Sequence, residues 1–325
     1  MNYTIFGESH GSAIGVTMTG VPAGIELDLD FIGAQLERRR PGQNALSTAR
    51  SEADVPEILS GVFEGRTTGT PLCAVIRNTD TRSKDYSQLK ICPRPSHADY
   101  AGQVRYKGCS DYRGGGHFSG RLTAPLVFAG ALAQLILRRH GVEVHTHISM
   151  VGGVKDPTAE QLEAVVLSAK AEGDSVGGAI ACAVTGLPAG LGAPDFGCNV
   201  EGIFSQHLFA VPAVKAVAFG AGFDFARMRG SQANDPFYMD AGQVKTRTNH
   251  AGGVNGGITN GMPVTFEVAI RPTPSISREQ DTVNLATGED TKLTIHGRHD
   301  PCIVHRAVPV IEAAAALAAC EVLGI

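Results

Sequence analysis

Two short loops of the chain carry histidines in settings that leave the ring reachable. His10 sits in GESHG, Gly7–Gly11, and His97 in RPSHADY, Arg94–Tyr100. Glycine, proline and small polar residues frame both imidazoles, a composition of loops and not of a packed core. Histidine titrates near neutrality, so two of them around one anionic substrate can serve as proton donors. A further segment of the same kind is GRHDPC (Gly297–Cys302). Arg38, Arg39, Arg40, Arg50, Arg94, Arg113, Arg121, Arg271 and Arg298 lie in or beside these loops. The guanidinium fork captures carboxylate and phosphate bidentately, each charge-assisted bond contributing roughly 1.5–3 kcal/mol. Several around one ligand imply a small polyanion.

A further stretch, RGGGHFSGR (Arg113–Arg121), sets three glycines between two arginines and beside His117. Such a run belongs where φ must be positive or where the backbone must approach something closely. The apolar LTAPLVFAGALAQLIL behind it (122–137) reads as a buried helix. The glycines are then expected at the open N–H groups of a helix start, an anion-binding geometry. Another glycine-rich loop, NHAGGVNGGITNG (249–261), leads to RPTPS at Arg271–Ser275.

The elements that must position these loops alternate along the chain. Strand patterns fall at Ala13–Gly20, Pro71–Asn78, Val142–Val151, Val176–Gly186, Val214–Gly220 and Pro263–Arg271. Helical patterns fall at Leu29–Arg39, Arg121–Arg139, Pro157–Ala171, Val200–Phe209 and Ala307–Leu323, with Pro157 placed in a first turn. The halves resemble each other. TGVPAGI (19–25) returns as TGLPAGL (185–191), and two alanine-rich helices with proline in the first turn, 123–135 and 306–318, each follow a loop bearing glycine and arginine. The expectation is one α/β (α+β) domain over 1–325, built as pseudo-repeats of about 1–150 and 151–325.

Composition bounds the function. With 325 residues, a mean hydropathy of 0.00 and a net charge of −4, the chain is an ordinary globular protein. It lacks the basic surface of a nucleic-acid binder. No stretch reaches ~18 unbroken apolar residues, and MNYTIFGESHG has neither the charged nor the apolar region of a secretory signal. The seven scattered cysteines, with no CxxC, read as reduced thiols of a cytoplasmic protein. Metal binding is the rival use of the histidines, through His145 and His147 on one strand face with His299 and Asp300. With no HExxH or cysteine-pair signature, no metal is expected.

In order and spacing, FGESHG, RRRPG, SGVFEGRTTGTPL, NTDTRSKDYS, RPSHADY, DYRGGG, EGDSVGG, PAGLGAPDF, GSQ, NHAGGVNGGITNG and GRHDPCIVHRAVPVIEA follow the chorismate synthase family over essentially the whole chain. The resemblance implies a β-α-β sandwich with internal pseudosymmetry, a helical layer lying between two antiparallel sheets. It implies loss of phosphate and a C6 proton from 5-enolpyruvylshikimate 3-phosphate to give chorismate, with reduced FMN required and no net oxidation. Other flavin-dependent oxidoreductases and non-catalytic anion-binding proteins are the alternatives. A homotetramer in the cytoplasm is implied. So is a monofunctional enzyme whose flavin is reduced by NADPH or by a separate flavin reductase.

Roles carry over residue by residue from that resemblance. His10 is placed to protonate the departing phosphate, His97 to protonate the reduced flavin, and Asp300 to assist removal of the C6 proton. Arg39, Arg50, Arg113, Arg121 and Arg298 are placed on substrate anions, with a nicotinamide contact also at Arg39. Flavin contacts map to Arg39, His117, Phe118, Ser119, Ala213, Gly256, Arg271, Pro272, Thr273, Pro274, Ser275 and Arg298. The chain departs from the family pattern at His117–Phe118, where arginine and serine are usual, and at Ala45 and Pro212.

Overall fold

The computed structural model describes residues 1–42, 53–79, 88–295 and 299–325. Ala45, Arg50 and Arg298 lie outside the described residues. The first sheet is antiparallel with strand order β1-β2-β6-β3, built from β1 (Asn2–Gly7), β2 (Ala13–Thr19), β3 (Pro56–Ser60) and β6 (Leu72–Arg77). The small hairpin β4 (Val62–Phe63) and β5 (Arg66–Thr67) lies between the last two in sequence. The second sheet has order β10-β15-β9-β7-β8, from β7 (Glu143–Val151), β8 (Val154–Lys155), β9 (Gly178–Thr185), β10 (Val214–Phe219) and β15 (Val264–Ile270). It too is antiparallel throughout. Hairpins β11 (Phe237–Asp240) with β12 (Gln243–Thr246), β13 (Val254–Asn255) with β14 (Ile258–Thr259), and β16 (Gln280–Asn284) with β17 (Glu289–Leu293) stand outside both sheets.

Helices fill the layer between the sheets. α1 (Leu29–Arg39), α3 (Thr123–Arg138), α5 (Val200–Phe209) and α7 (Val304–Val322) pack there, α3 against β2 and β6, α7 against β7 and β9, and α3 against α7. α2 (Asp99–Arg105), α4 (Ala159–Ala171) and α6 (Gly230–Ala233) are the other α-helices among the described residues. One hydrophobic cluster runs from Ile14 and Val16 through Leu132 and Leu317 to Val184 and Val264. A helix covered on both sides is apolar all round. That accounts for the stretch Gly120–Arg138, long and apolar enough to cross a membrane, of whose most apolar window 83% is buried inside the fold. Alanines 313–316 keep the central layer thin, and a Cβ on Gly130 would collide with the backbone of Ala313.

The two halves correspond in their four main strands and in their central helices. The order β1-β2-β6-β3 matches β7-β9-β15-β10, with α1 and α5 following the second strand and α3 and α7 closing each half. The repeated TGxPAG turn has the same hydrogen bonds in both places. Thr67 Oγ1 donates to Pro22 O and accepts from Ile25 N at 2.6 and 2.9 Å. Thr259 Oγ1 donates to Pro188 O and accepts from Leu191 N at 2.7 and 2.9 Å. Gly20 and Gly24, like Gly186 and Gly190, have positive φ, so the glycines recur where L side chains are strained. β7 spans the 150/151 division and pairs wholly within the second sheet.

Most expected elements are present within one to three residues at each end, with three corrections of detail. Thr158 caps α4 through a capping box with Gln161, so Pro157 precedes the cap. α7 starts at Val304, which puts Pro309 inside it and not in its first turn. α3 starts at Thr123, after two 3₁₀ turns at 113–118 and 120–122, so Gly114–Gly116 are not at the helix N–H groups. All three have positive φ, which an α-helix excludes. Edge strand β1 and the seven-residue α2 carry too little periodicity to read from sequence.

Gly130→Ala separates two opposing effects. Helix propensity alone favours alanine by about 1 kcal/mol, whereas overpacking costs about 1–3 kcal/mol or more. The obstacle is backbone, which cannot swing aside, so a lower midpoint in urea unfolding is expected. A raised midpoint would show that the helices slide apart freely.

Candidate active site

The glycine run supplies the surface against which both histidines lie. A Cβ on Gly114 would collide with Cε1 and Nδ1 of His10 and lie 3.0 Å from Ser9 Oγ. A Cβ on Gly115 would lie 3.3 and 3.4 Å from Cε1 and Nε2 of His97. The GESHG loop is fastened to the run twice more. Ser9 N donates to Gly116 O at 3.1 Å, and His117 Nδ1 donates to Gly7 O at 2.9 Å, a carbonyl being only an acceptor. His10 itself is buried.

The RPSH turn explains how His97 is presented. His97 N donates to Arg94 O at 3.1 Å, Pro95 holds the second position and Ser96 has φ +61°. This is the pattern of a type II turn, with a positive φ at the third position. It sets Arg94 and His97 side by side over Asp99. Arg94 Nε and Nη2 donate to Asp99 Oδ2 and Oδ1 at 2.7 and 2.8 Å, and His97 Nδ1 lies 2.6 Å from Oδ1. Burial works against the Asp99 carboxylate, but bonds from Arg94 and His97 outweigh it and hold it well below the usual carboxylate range. Burial lowers the pKa of His97, Arg94 and Arg271 add to this, and Asp99 opposes them.

Arg39 and Arg121, two of the arginines expected on substrate anions, meet at one buried carboxylate. Asp54 Oδ2 accepts from Arg39 Nη1 at 3.2 Å, and its Oδ1 accepts from Arg121 Nη1. Arg121 Nε also donates to Asn78 Oδ1 at 3.1 Å, while Asn78 Nδ2 donates to the carbonyls of Glu8 and Gly11. Asn78 thus ties this cluster to the His10 loop.

The C-terminal segments close the circuit. Arg94 Nη1 donates to Ser275 Oγ at 3.1 Å and Arg271 Nη1 to Ser96 O at 2.7 Å, which joins 271–275 to the His97 turn. Thr273 Oγ1 donates to Asp300 O at 2.6 Å. Arg306 donates through Nη1 to Asp300 Oδ2 at 2.5 Å and through Nε to Arg39 O at 3.0 Å. Ala213 has φ +73°, and its carbonyl accepts from Arg271 N. Contacts therefore run from His10 through Gly114–Gly116, His97, 271–275, Asp300, Arg306, Arg39, Asp54, Arg121 and Asn78 back to the His10 loop.

Other expected residues fall less centrally. Arg113 is bidentate on Asp111 and 42% exposed. Phe118 packs on Gly102 and Tyr106 of the α2 segment, and Ser119 Oγ accepts from Arg121 N, so both have local structural work. Gly256 is the exposed tip of the β13–β14 hairpin, beside Gly257, which packs on Ala193 and Asn199 and not on the His97 turn. Arg39, though within the site cluster, is 2% exposed, its guanidinium turned inward to Asp54. His145 and His147 are exposed on one face of β7, and no three potential metal ligands converge among the described residues. Asp54, Asn78, Asp99 and Arg306 are positions the sequence reading did not single out. Only Asp99, two residues from His97, had a local signal.

Gly114→Ala should displace His10 without unfolding the chain, since a misplacement of about 1 Å costs a positioned group about 10²-fold in rate. Gly120→Ala is the control, because open space surrounds that position. Turnover lowered in the first variant only, with both melting near the parent, is expected. Equal turnover in both would show that the contact does not position His10.

A chorismate synthase family model matches residues 1–323. The chorismate synthase of Methanothermobacter thermautotrophicus is 46% identical, covering 97% of this chain and 90% of that protein. That of Thermococcus gammatolerans is also 46% identical, over 96% and 93%. A chorismate synthase crystal structure superposes with a TM-score of 0.75 at 25% identity, covering 99% of this chain and 91% of its own. With the family model matching nearly the whole chain and relatives 46% identical over it, the chain belongs to the chorismate synthase family.

Proposed function

We propose that the chain converts 5-enolpyruvylshikimate 3-phosphate to chorismate and phosphate. The observation that carries this reading is the seating of His10 and His97 on adjacent glycines of one run, with Arg39 and Arg121 tied to the same loop. In the reaction the C3–O bond breaks, and its electron pair leaves with phosphate. The C6–H bond breaks, and its electrons move through the ring double bond to complete the diene. His10 donates a proton to the departing phosphate. Arg39 and Arg121 hold anionic groups of the substrate, and Asp300, held by Arg306, assists removal of the C6 proton.

Reduced FMN fits the donor set around His97 and the 271–275 segment. His299 Nε2 is buried with no partner among the described residues, Gly115 leaves the Nε2 edge of His97 uncovered, and Arg271, Thr273 and Ser275 line the adjoining segment. When bound, the reduced flavin supplies electron density that eases C–O cleavage and is recovered afterwards. His97 is the residue that holds a proton beside it. An anionic ligand there favours the imidazolium and so reverses the lowering that burial imposes. His117, Phe118, Ser119, Ala213, Gly256, Pro272 and Pro274 complete the proposed flavin contacts, with Arg50, Arg113 and Arg298 as further anion contacts. NADPH or a separate reductase supplies the electrons, and the protein works in the cytoplasm as a homotetramer. Exposed Phe237, Met239 and Val244 give one hairpin the apolar face that subunit contacts cover.

Anaerobic incubation with substrate, with and without reduced FMN, tests the reading. Chorismate and phosphate in equal amounts, formed only with reduced FMN and with no net flavin oxidation, are expected. One flavin oxidised per turnover would make the chain an oxidoreductase, and binding without turnover an anion-binding protein. His10→Ala and His97→Ala should each lower turnover about 10²–10⁴-fold, the usual range for a lost proton donor. Near-normal rates in both would remove the proton-donor roles.

A further inference from the structure

We propose that Asp99 is a positioning residue that holds His97 as the Nδ1–H tautomer, leaving Nε2 as the atom through which the ring transfers a proton. The inference rests on the reading of His97 as a proton donor. Nδ1 lies 2.6 Å from Asp99 Oδ1 and 3.0 Å from Arg94 Nη2. Were Nδ1 unprotonated, its lone pair would face a carboxylate oxygen at 2.6 Å, a repulsive contact in a buried site. With Nδ1 protonated, Oδ1 receives both that hydrogen and the one from Arg94 Nη2, which lies 2.8 Å from it. Arg94 Nη2 has a second hydrogen, but at 3.0 Å from Nδ1 it lies farther off than the carboxylate oxygen at 2.6 Å. Arg94 holds the carboxylate with two parallel bonds, helped by Asp99 Oδ2 accepting from Arg94 N at 3.0 Å.

On the opposite edge of the ring, Cε1 and Nε2 face Gly115, where a Cβ would lie 3.3 and 3.4 Å from them. Asp99 is itself buried at the start of α2, with its side chain 8% exposed, so its carboxylate serves His97 and Arg94 and not solvent. The charged groups that act on His97 are Asp99 and Arg94 from its own segment and Arg271 from the 271–275 segment.

The test combines ¹⁵N chemical shifts of the His97 imidazole with turnover. In the ligand-free protein at pH 8, where His97 is neutral, protonated Nδ1 and unprotonated Nε2 are expected. An Nε2–H tautomer there overturns the proposal without any variant being needed. Asp99→Asn keeps the volume and a bond to Arg94 but presents N–H to Nδ1, so it should switch the tautomer and lower turnover about 10²-fold or more. The loss should disappear in a His97→Gln background, because Asp99 acts through that ring, whereas a merely structural role would lower both backgrounds alike. An inactive His97→Gln with fully active Asp99→Asn overturns this proposal and leaves the proton-donor reading standing. Full activity in both variants overturns the two together.

Discussion

The close approach of a side-chain-free backbone to two imidazoles is the constraint on which the site depends. Gly114 and Gly115 lie in a left-handed turn that any Cβ would strain, and each faces a different histidine. His10 comes from the loop after β1 and His97 from a turn nearly 90 residues later, so nothing local to either could bring them together. The run does so because its carbonyl at Gly116 and the His117 ring fasten the first loop while Gly115 faces the second. Ordering three glycines is entropically expensive. The rigid start of α3 behind them, covered by both sheets, offsets that cost.

The rest of the circuit shows how a fold with one thin helical layer holds several charges out of water. Buried arginines are rare unless paired, and each one here has a carboxylate: Arg39 and Arg121 share Asp54, and Arg94 has Asp99. These pairs add little stability by themselves, since desolvation consumes most of the Coulombic gain. Their effect is orientation. Each carboxylate fixes a guanidinium or an imidazole that could otherwise adopt other rotamers, and backbone acceptors at Ser96 and Arg39 hold Arg271 and Arg306 in turn. Internal repetition contributes as well, because both halves end in a helix that follows a site-forming loop.

Much of this was legible in the sequence for a physical reason. The sheet strands alternate or run continuously apolar, α3 and α7 are apolar nearly all round and α1 is amphipathic, so β2, β6, β7, β9, β10, β15, α1, α3, α5 and α7 carried strong patterns. The TGxPAG turns needed positive φ at the same two glycines, which made the repeat visible. His10 and His97 stood out by their settings. Asp54 and Asn78 did not, because their partners are distant in sequence and no local pattern encodes a long-range ion pair. The sequence pattern of the glycine run suggests a helix-start anion site. In the folded chain it is a packing surface, a difference set by the extended Ser119, which separates the run from α3.

A crystal structure of the protein with 5-enolpyruvylshikimate 3-phosphate bound tests the central claim most directly. The account predicts the phosphate within hydrogen-bond distance of His10, anionic groups on Arg39 and Arg121, and the ring on the His97 side of Gly114–Gly116. Substrate bound elsewhere, with the two histidines left facing only protein, would contradict it.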